Sequence, residues 1–188
     1  MNLSSIKRPQ LKDIKPTAVI DAIIAKRNLG TTRCMANVTI ALGPGFYAGR
    51  DVHAVIDTMR GHDLGRLILK GHAKPDTGLP GEIAGESTRR VIYAPASGRV
   101  RHDKQLGSIV KRGESVCTID NVQVCASIDG LLRGLIREGV SVNKGIKVAD
   151  IDSRIDVDWR TISDKARCLG GAALGAYFFL LNENGEEK

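Results

Sequence analysis

Aromatic residues make up only 4% of this 188-residue chain, and that shortage limits what it can do. Single-stranded nucleic acids are held largely by stacking on aromatic faces, so a platform of that kind is not expected. The core must instead be filled by Val, Ile, Leu and Ala. Cysteine is scarce too, with residues at 34, 117, 125 and 168. No two of them form Cys-x-x-Cys and none has zinc-finger spacing, so no metal site is expected from them. Long apolar runs are missing. The longest, LGGAALGAYFFLL at 169–181, is well short of the ~20 residues that span a bilayer. The opening MNLSSIKRPQ has no apolar centre like that of a signal peptide. A reduced, cytoplasmic protein without membrane contact is the expectation. Basic residues are in excess, giving a net charge of +7, yet no block of five or six occurs. The charge therefore suits a phosphorylated or polyanionic partner, and nucleic acid is not the expected one.

What remains is ordinary globular composition, 42% hydrophobic and 26% charged, enough for one large domain or two small ones. Residues 1–16 read as a polar lead-in. TAVIDAIIAKRNLG (17–30) fits a helix ending at Gly30, with a strand as the alternative, because Ile and Val favour sheets. NVTIALG (37–43) reads as a buried strand. DVHAVIDTMRG (51–61) reads as a helix capped by Asp51 and stopped by Gly61, with Val52, Val55, Ile56 and Met59 in one stripe. GRLILKG (65–71) reads as a second strand, which would make a parallel βαβ unit.

From 91 to 152 the chain repeats itself at an offset of 32. Ala94, Gly98, Gly107, Val110, Gly113, Val116, Ile119 and Asp120 meet Ala126, Gly130, Gly139, Val142, Gly145, Val148, Ile151 and Asp152. Glycines at fixed turn positions with β-branched residues between them predict short strands packed as a quasi-twofold sandwich. The fold class expected is therefore mixed α+β: an α/β portion (1–88), an all-β repeat module (89–152), and a C-terminal helix with an acidic tail (153–188). In that helix, Ala166, Leu169, Ala173, Leu174, Tyr177 and Leu181 form a stripe, and Thr161 with Asp164 resembles a capping box. Gly170, Gly171 and Gly175 make sense if that face lies against another backbone, within the fold or in a second copy of the chain.

Two helix starts could carry chemistry. Gly43, Gly45 and Gly49 lead to Arg50 and Asp51, where exposed amides and a helix dipole would favour an anion; a plain tight turn is the competing reading. His53, Asp57 and Arg60 share a helical face at i, i+4, i+7, followed by His62 and Asp63. A solvated polar face explains them as well as a site does. A metal would need a third ligand that nothing local supplies, so none is assigned. Ser163, Asp164, Lys165 and Arg167 offer hydroxyl and cationic groups at the second start. Cys117 and Cys125 fall in predicted strands, and Cys168 is the thiol to test for reactivity.

The pattern A-P-x-x-G-x-V followed by V-x-x-G-x-x-V-x-x-I resembles the barrel-sandwich hybrid of lipoyl and biotinyl domains. Their attachment lysine would fall in Ile119-Asp120-Asn121-Val122-Gln123-Val124, which has none, so no lipoyl or biotin group is expected. LGPGFYAGRDVHAVIDTMRGHDLGR, APASGRV, IDGLLRGLIREGVSVNKG, ADIDSR and TISDKAR together resemble the YqeB-type accessory proteins of selenium-dependent molybdenum hydroxylases. The resemblance implies a role in maturing such a hydroxylase, with the hydroxylase or its maturation machinery as partner. It implies molybdenum cofactor or a nucleotide as the phosphate-bearing ligand. Members carry a Rossmann portion with a glycine-rich start upstream of the segment matching 17–30; here the first glycine is Gly30. A short form, or a portion supplied by another chain, is then expected. The alternatives are a transferase or hydrolase using His53, Asp57, Arg60, His62 and Asp63, and a non-catalytic adaptor docking through the repeat module.

Overall fold

A computed structural model describes residues 13–186, with side chains to residue 183. It divides into two compact units, one formed by the chain up to Thr77 together with Ile162 onward, the other by Gly78–Thr161. The sequence boundary at residue 153 set the C-terminal helix apart; the structure groups it with the N-terminal sheet.

That sheet has the order β1 (Ala18–Asp21), β2 (Val38–Leu42), β3 (Ala54–Ile56) and β4 (Leu67–Ile68). β1, β2 and β3 run parallel, and β4 pairs antiparallel with β3. β2 is buried along its whole length, which is why VTIAL shows no polar alternation. Val38, Ile40, Leu42, Ala54 and Ile56 pack on one face against Leu169, Ala173, Ala176 and Leu180 of helix α1 (Asp164–Glu186). On the other face Ala41 and Val55 meet Phe46, Ala48, Val52 and Ala73.

The expected βαβ unit is corrected here, because 51–61 forms no helix. The chain turns at 49–51, enters β3 at Ala54, and turns again at 61–65. Val52, Val55 and Ile56 do have helical spacing, but β3 is buried on both faces, so its apolar residues need not alternate. Pairing with β2 decides the matter, with the His53 amide donating to the Thr39 carbonyl at 2.9 Å. β2 and β3 are thus parallel strands joined by a loop. Residues 17–30 likewise follow the strand alternative, and 65–71 keeps only a two-residue strand.

α1 starts later than its expected cap. Ser163 Oγ accepts the Ala166 amide at 3.2 Å, whereas Thr161 Oγ1 donates to the Asp158 carbonyl. The buried seam is 169, 173, 176 and 180, leaving Leu174 57% exposed. The helix runs on through the expected tail to Glu186. Gly170, Gly171 and Gly175 each cost a helix about 1 kcal/mol relative to Ala. A Cβ built on any of them meets nothing within 4 Å, so among the described residues no other element's backbone lies against them.

The second unit holds two four-stranded sheets. One has the order β5 (Val91–Tyr93), β12 (Lys147–Asp152), β10 (Gly130–Leu135), β7 (Ile109–Val110); the other has β11 (Ser141–Val142), β6 (Gly98–His102), β8 (Ser115–Ile119), β9 (Val122–Cys125). The offset of 32 relates their registers. Gly98 pairs with Val142 as Gly130 pairs with Val110, and Val100 pairs with Ile119 as Leu132 pairs with Ile151. Each half lends its short strand to the other half's sheet, so neither sheet can form from one repeat alone. Val100, Val110, Val116, Ile119, Leu132, Val142, Val148 and Ile151 fill a common core.

Candidate functional site

Parallel strands put their carboxyl ends on one edge, and in open α/β sheets that edge is where ligands bind. Here β1, β2 and β3 end at Asp21, Leu42 and Ile56. After β1, buried Asp21 accepts the Ile23 amide at 3.1 Å and the Thr31 hydroxyl at 2.6 Å. The chain then passes through left-handed conformations at Ile24 (φ 56) and Lys26 (φ 63), uncommon for non-glycine residues and strained for a β-branched one. After β2, Gly43 donates to the Ile56 carbonyl at 2.8 Å. A Cβ on Gly45 would lie 2.5 Å from the Arg27 Cα, so only glycine lets these two backbones touch. After β3, buried Asp57 accepts the Met59 amide at 2.8 Å and the Lys74 amide at 3.1 Å.

The start of α1 reaches the same edge. Arg60 grips Asp164 through both guanidinium nitrogens, at 2.8 and 3.2 Å. Next to it the half-buried Lys165 has a pKa below the ordinary lysine value. Burial is the largest cause, followed by the positive charges of Arg60 and Lys26, which Asp57 and Asp164 offset only in part. Lys26 itself stands 4.0 Å from Asp76. The edge thus gathers three cations that repel one another. Chemically it suits an anion with more than one oxygen.

Of the residues singled out from sequence, Gly43, Gly45, Asp57, Arg60, Ser163, Asp164 and Lys165 come to this edge. The others serve elsewhere. Gly49 is in the turn before Arg50, and with no helix at 51 the expected dipole is missing there. Asp51 instead turns back on its own loop, accepting the Tyr47 amide at 2.8 Å and pairing with Arg50 at 2.9 Å. The Arg50 hydrogen bond, then the Tyr47 amide, hold its pKa below the carboxylate norm. His53 Nδ1 accepts the Thr39 amide at 3.1 Å, which puts the ring proton on Nε2. Burial first, and Arg33 second, push the His53 pKa down, so it is a neutral cross-strand clamp. His62 is exposed in the turn at 61–65. Asp63 pairs with Lys74 at 2.5 Å and Arg66 at 3.4 Å. Arg167 donates to the Ile162 carbonyl at 2.8 Å. The shared helical face expected for His53, Asp57 and Arg60 therefore does not exist. Among the described residues no group of three His, Cys, Asp or Glu is placed to hold a metal. Cys117 is buried, which raises its thiol pKa to about 11, while Cys125 and Cys168 are exposed.

Asp21 and Lys26 were not legible as site residues. The only available cue for Asp21 was its place at the end of an apolar AVI run; Lys26 had none.

No family model matches the chain. Over 174 residues, 92% of its length, it is 49% identical to the "Uncharacterized protein YqeB" of Escherichia coli (strain K12). It spans about a third (32%) of that relative's length. The identity supports a YqeB-type protein. Among solved structures, the product-bound ectoine utilization protein EutE (DoeB) of Ruegeria pomeroyi aligns at a TM-score of 0.28 and 19% identity. That alignment covers 45% of this chain and 27% of the other, too slight a likeness to bear on fold or function.

Proposed function

We propose that this chain is a YqeB-type accessory protein that takes part in maturing a selenium-dependent molybdenum hydroxylase. In this reading it binds a phosphate-bearing ligand, a pterin-type cofactor or a nucleotide, at the carboxyl edge of β1–β3. The observation that supports the ligand class is a half-buried Lys165 ammonium, disfavoured first by burial and then by the nearby Arg60 and Lys26 charges. Like charges held together in a half-buried setting cost stability, and an oxyanion placed among them would remove that cost. Gly43 and Gly45 allow the Thr58 side chain and the Arg27 backbone to pack close to this loop, since a Cβ on either glycine would collide with them. Among the described residues no helix is long and apolar enough to cross a membrane. The repeat module is read as a barrel-sandwich hybrid that docks rather than carries, since its β8–β9 hairpin turns at Asp120-Asn121 and has no lysine. An enzymatic reading is less favoured, because His53 is committed to Thr39 and Asp63 to Lys74.

The test is a thermal-shift and calorimetric titration of the full chain with inorganic phosphate, pyrophosphate, nucleotides and molybdopterin. At least one should bind, and Lys165→Glu should weaken it roughly 10- to 100-fold, the worth of a charged hydrogen bond. Lys165→Arg should retain most of the affinity. Binding should also raise the Lys165 pKa, observable by NMR of its side chain. Absence of binding by every phosphate compound, or equal binding by Lys165→Glu, would overturn the ligand assignment.

A further inference from the structure

A lysine is ordinarily either exposed to water or, where it is covered, paired with a carboxylate. Among the described residues only Lys104 and Lys165 are half-buried, and every other lysine is exposed. Lys104 pairs with Glu114. Lys165 makes no hydrogen bond or ion pair with any described residue. The two carboxylates that act on it are already engaged. Arg60 grips Asp164 through both nitrogens, and Asp57 accepts the Met59 and Lys74 amides. Lys165 is also the second residue of α1, where the positive end of the helix dipole adds to the cost of an ammonium. Burial, Arg60 and Lys26 all disfavour the charged form as well, and Asp57 and Asp164 counter them only in part. A lysine desolvated beside other cations presents an uncharged nitrogen, and that nitrogen is a nucleophile.

We propose that the Lys165 amine condenses with the carbonyl of a phosphorylated aldehyde or ketone bound at the carboxyl edge of β1–β3. This rests on the anion site proposed above and narrows the class of ligand that the site takes. The same two cations serve both ends of such a molecule: Arg60 and Lys26 draw its phosphate and keep the neighbouring amine uncharged. In the reaction the Lys165 nitrogen adds to the carbonyl carbon, and a proton passes from nitrogen to oxygen to give a carbinolamine. The C–O bond then breaks, the hydroxyl leaves as water, and a C=N imine remains. Water reverses the sequence, and no oxidant or reductant is consumed.

The probe is pyridoxal 5′-phosphate, an aldehyde that carries a phosphate, added to the full chain at neutral pH. Borohydride reduction fixes any imine as a stable secondary amine, and peptide mapping locates it. Lys165 should be labelled about tenfold faster than Lys104 or any exposed lysine. Pyridoxal, which lacks the phosphate, should label it about tenfold more slowly, and pyrophosphate should protect it. Lys165→Arg keeps the positive charge and should lose the adduct. Pyridoxine 5′-phosphate, with an alcohol in place of the aldehyde, separates this proposal from the one it rests on. If calorimetry shows that it binds while pyridoxal 5′-phosphate leaves no adduct at Lys165, the nucleophile is refuted and the anion site stands. If neither binds nor reacts, both are refuted. Labelling spread evenly over the lysines, or equal labelling of Lys165 by pyridoxal and its phosphate, would also overturn the proposal.

Discussion

Replacing Asp152 with Ala should cost the repeat unit about 3–5 kcal/mol, the usual result of removing one partner of a buried ion pair. Asp152 is 2% exposed and holds two arginines. It accepts Arg133 Nη1 at 2.8 Å, Arg154 Nη2 at 2.7 Å, Arg154 Nε at 2.9 Å and the Arg154 amide at 3.1 Å. Without the carboxylate, Arg154, already 40% exposed, can turn to water, but Arg133 at 21% has less room to do so. The loss should therefore exceed that of any surface pair here. Unfolding is conveniently followed at Trp159, the chain's single tryptophan, which lies in the same unit. A urea midpoint within error of the native protein's would refute the prediction.

The same carboxylate gives a pH signature of definite sign. Burial opposes ionisation of Asp152, but the Arg154 and Arg133 hydrogen bonds outweigh it and bring the pKa to about 2. The unfolded value is about 3.9, so the unfolded chain binds more protons between the two values and stability falls as the solution is acidified. The contribution is complete above the unfolded value and is lost as pH falls through the folded one. It amounts to about 2–3 kcal/mol. Asp51, Asp63, Asp103, Glu114 and Asp129 also have lowered pKa values and add to acid lability. Asp152→Asn leaves those untouched, so subtracting its stability curve from the native curve isolates the one group.

The repeat module was legible because its information is local and positional. Gly107, Gly113, Gly139 and Gly145 take φ values of 88, 85, 78 and 86, and such positions write themselves into the sequence as glycine at a fixed spacing. Helix α1 was legible in existence for a similar reason, though its buried seam was placed wrongly at Leu174 and Leu181. The N-terminal sheet was misread at β3 because that strand is buried on both faces. Val52, Val55 and Ile56 then satisfy a helical stripe as well as a strand, and only the pairing with residues 38–42 distinguishes them. The proposed site suffered from the same cause. Its parts come from residues 21–27, 43–45, 57–60 and 163–165, and no spacing along the chain announces that they meet. Lys165 was picked out for its place at a helix start; the cations that crowd it arrive from elsewhere through the fold.

The two halves of the repeat should not respond alike to the same substitution, although their sequences pair Gly98 with Gly130. Gly130→Ala should cost about 3 kcal/mol, while Gly98→Ala should cost about 1 kcal/mol. Both glycines have φ 156, so the backbone penalty for alanine cancels between them. What differs is the obstacle. A Cβ on Gly98 runs into the side-chain carboxylate of Asp120, an exposed hairpin residue whose other oxygen accepts the Arg99 amide at 2.9 Å. That carboxylate can swing away for the loss of one hydrogen bond. A Cβ on Gly130 runs into the main-chain carbonyl of Asp152, with Ile151 Cγ2 at 2.8 Å. Relief there requires moving β12, and moving β12 displaces the Asp152 carboxylate from Arg133 and Arg154. Sequence symmetry alone predicts equal losses, so equal urea midpoints for the two variants, read at Trp159, would show that β12 yields as easily as a side chain does.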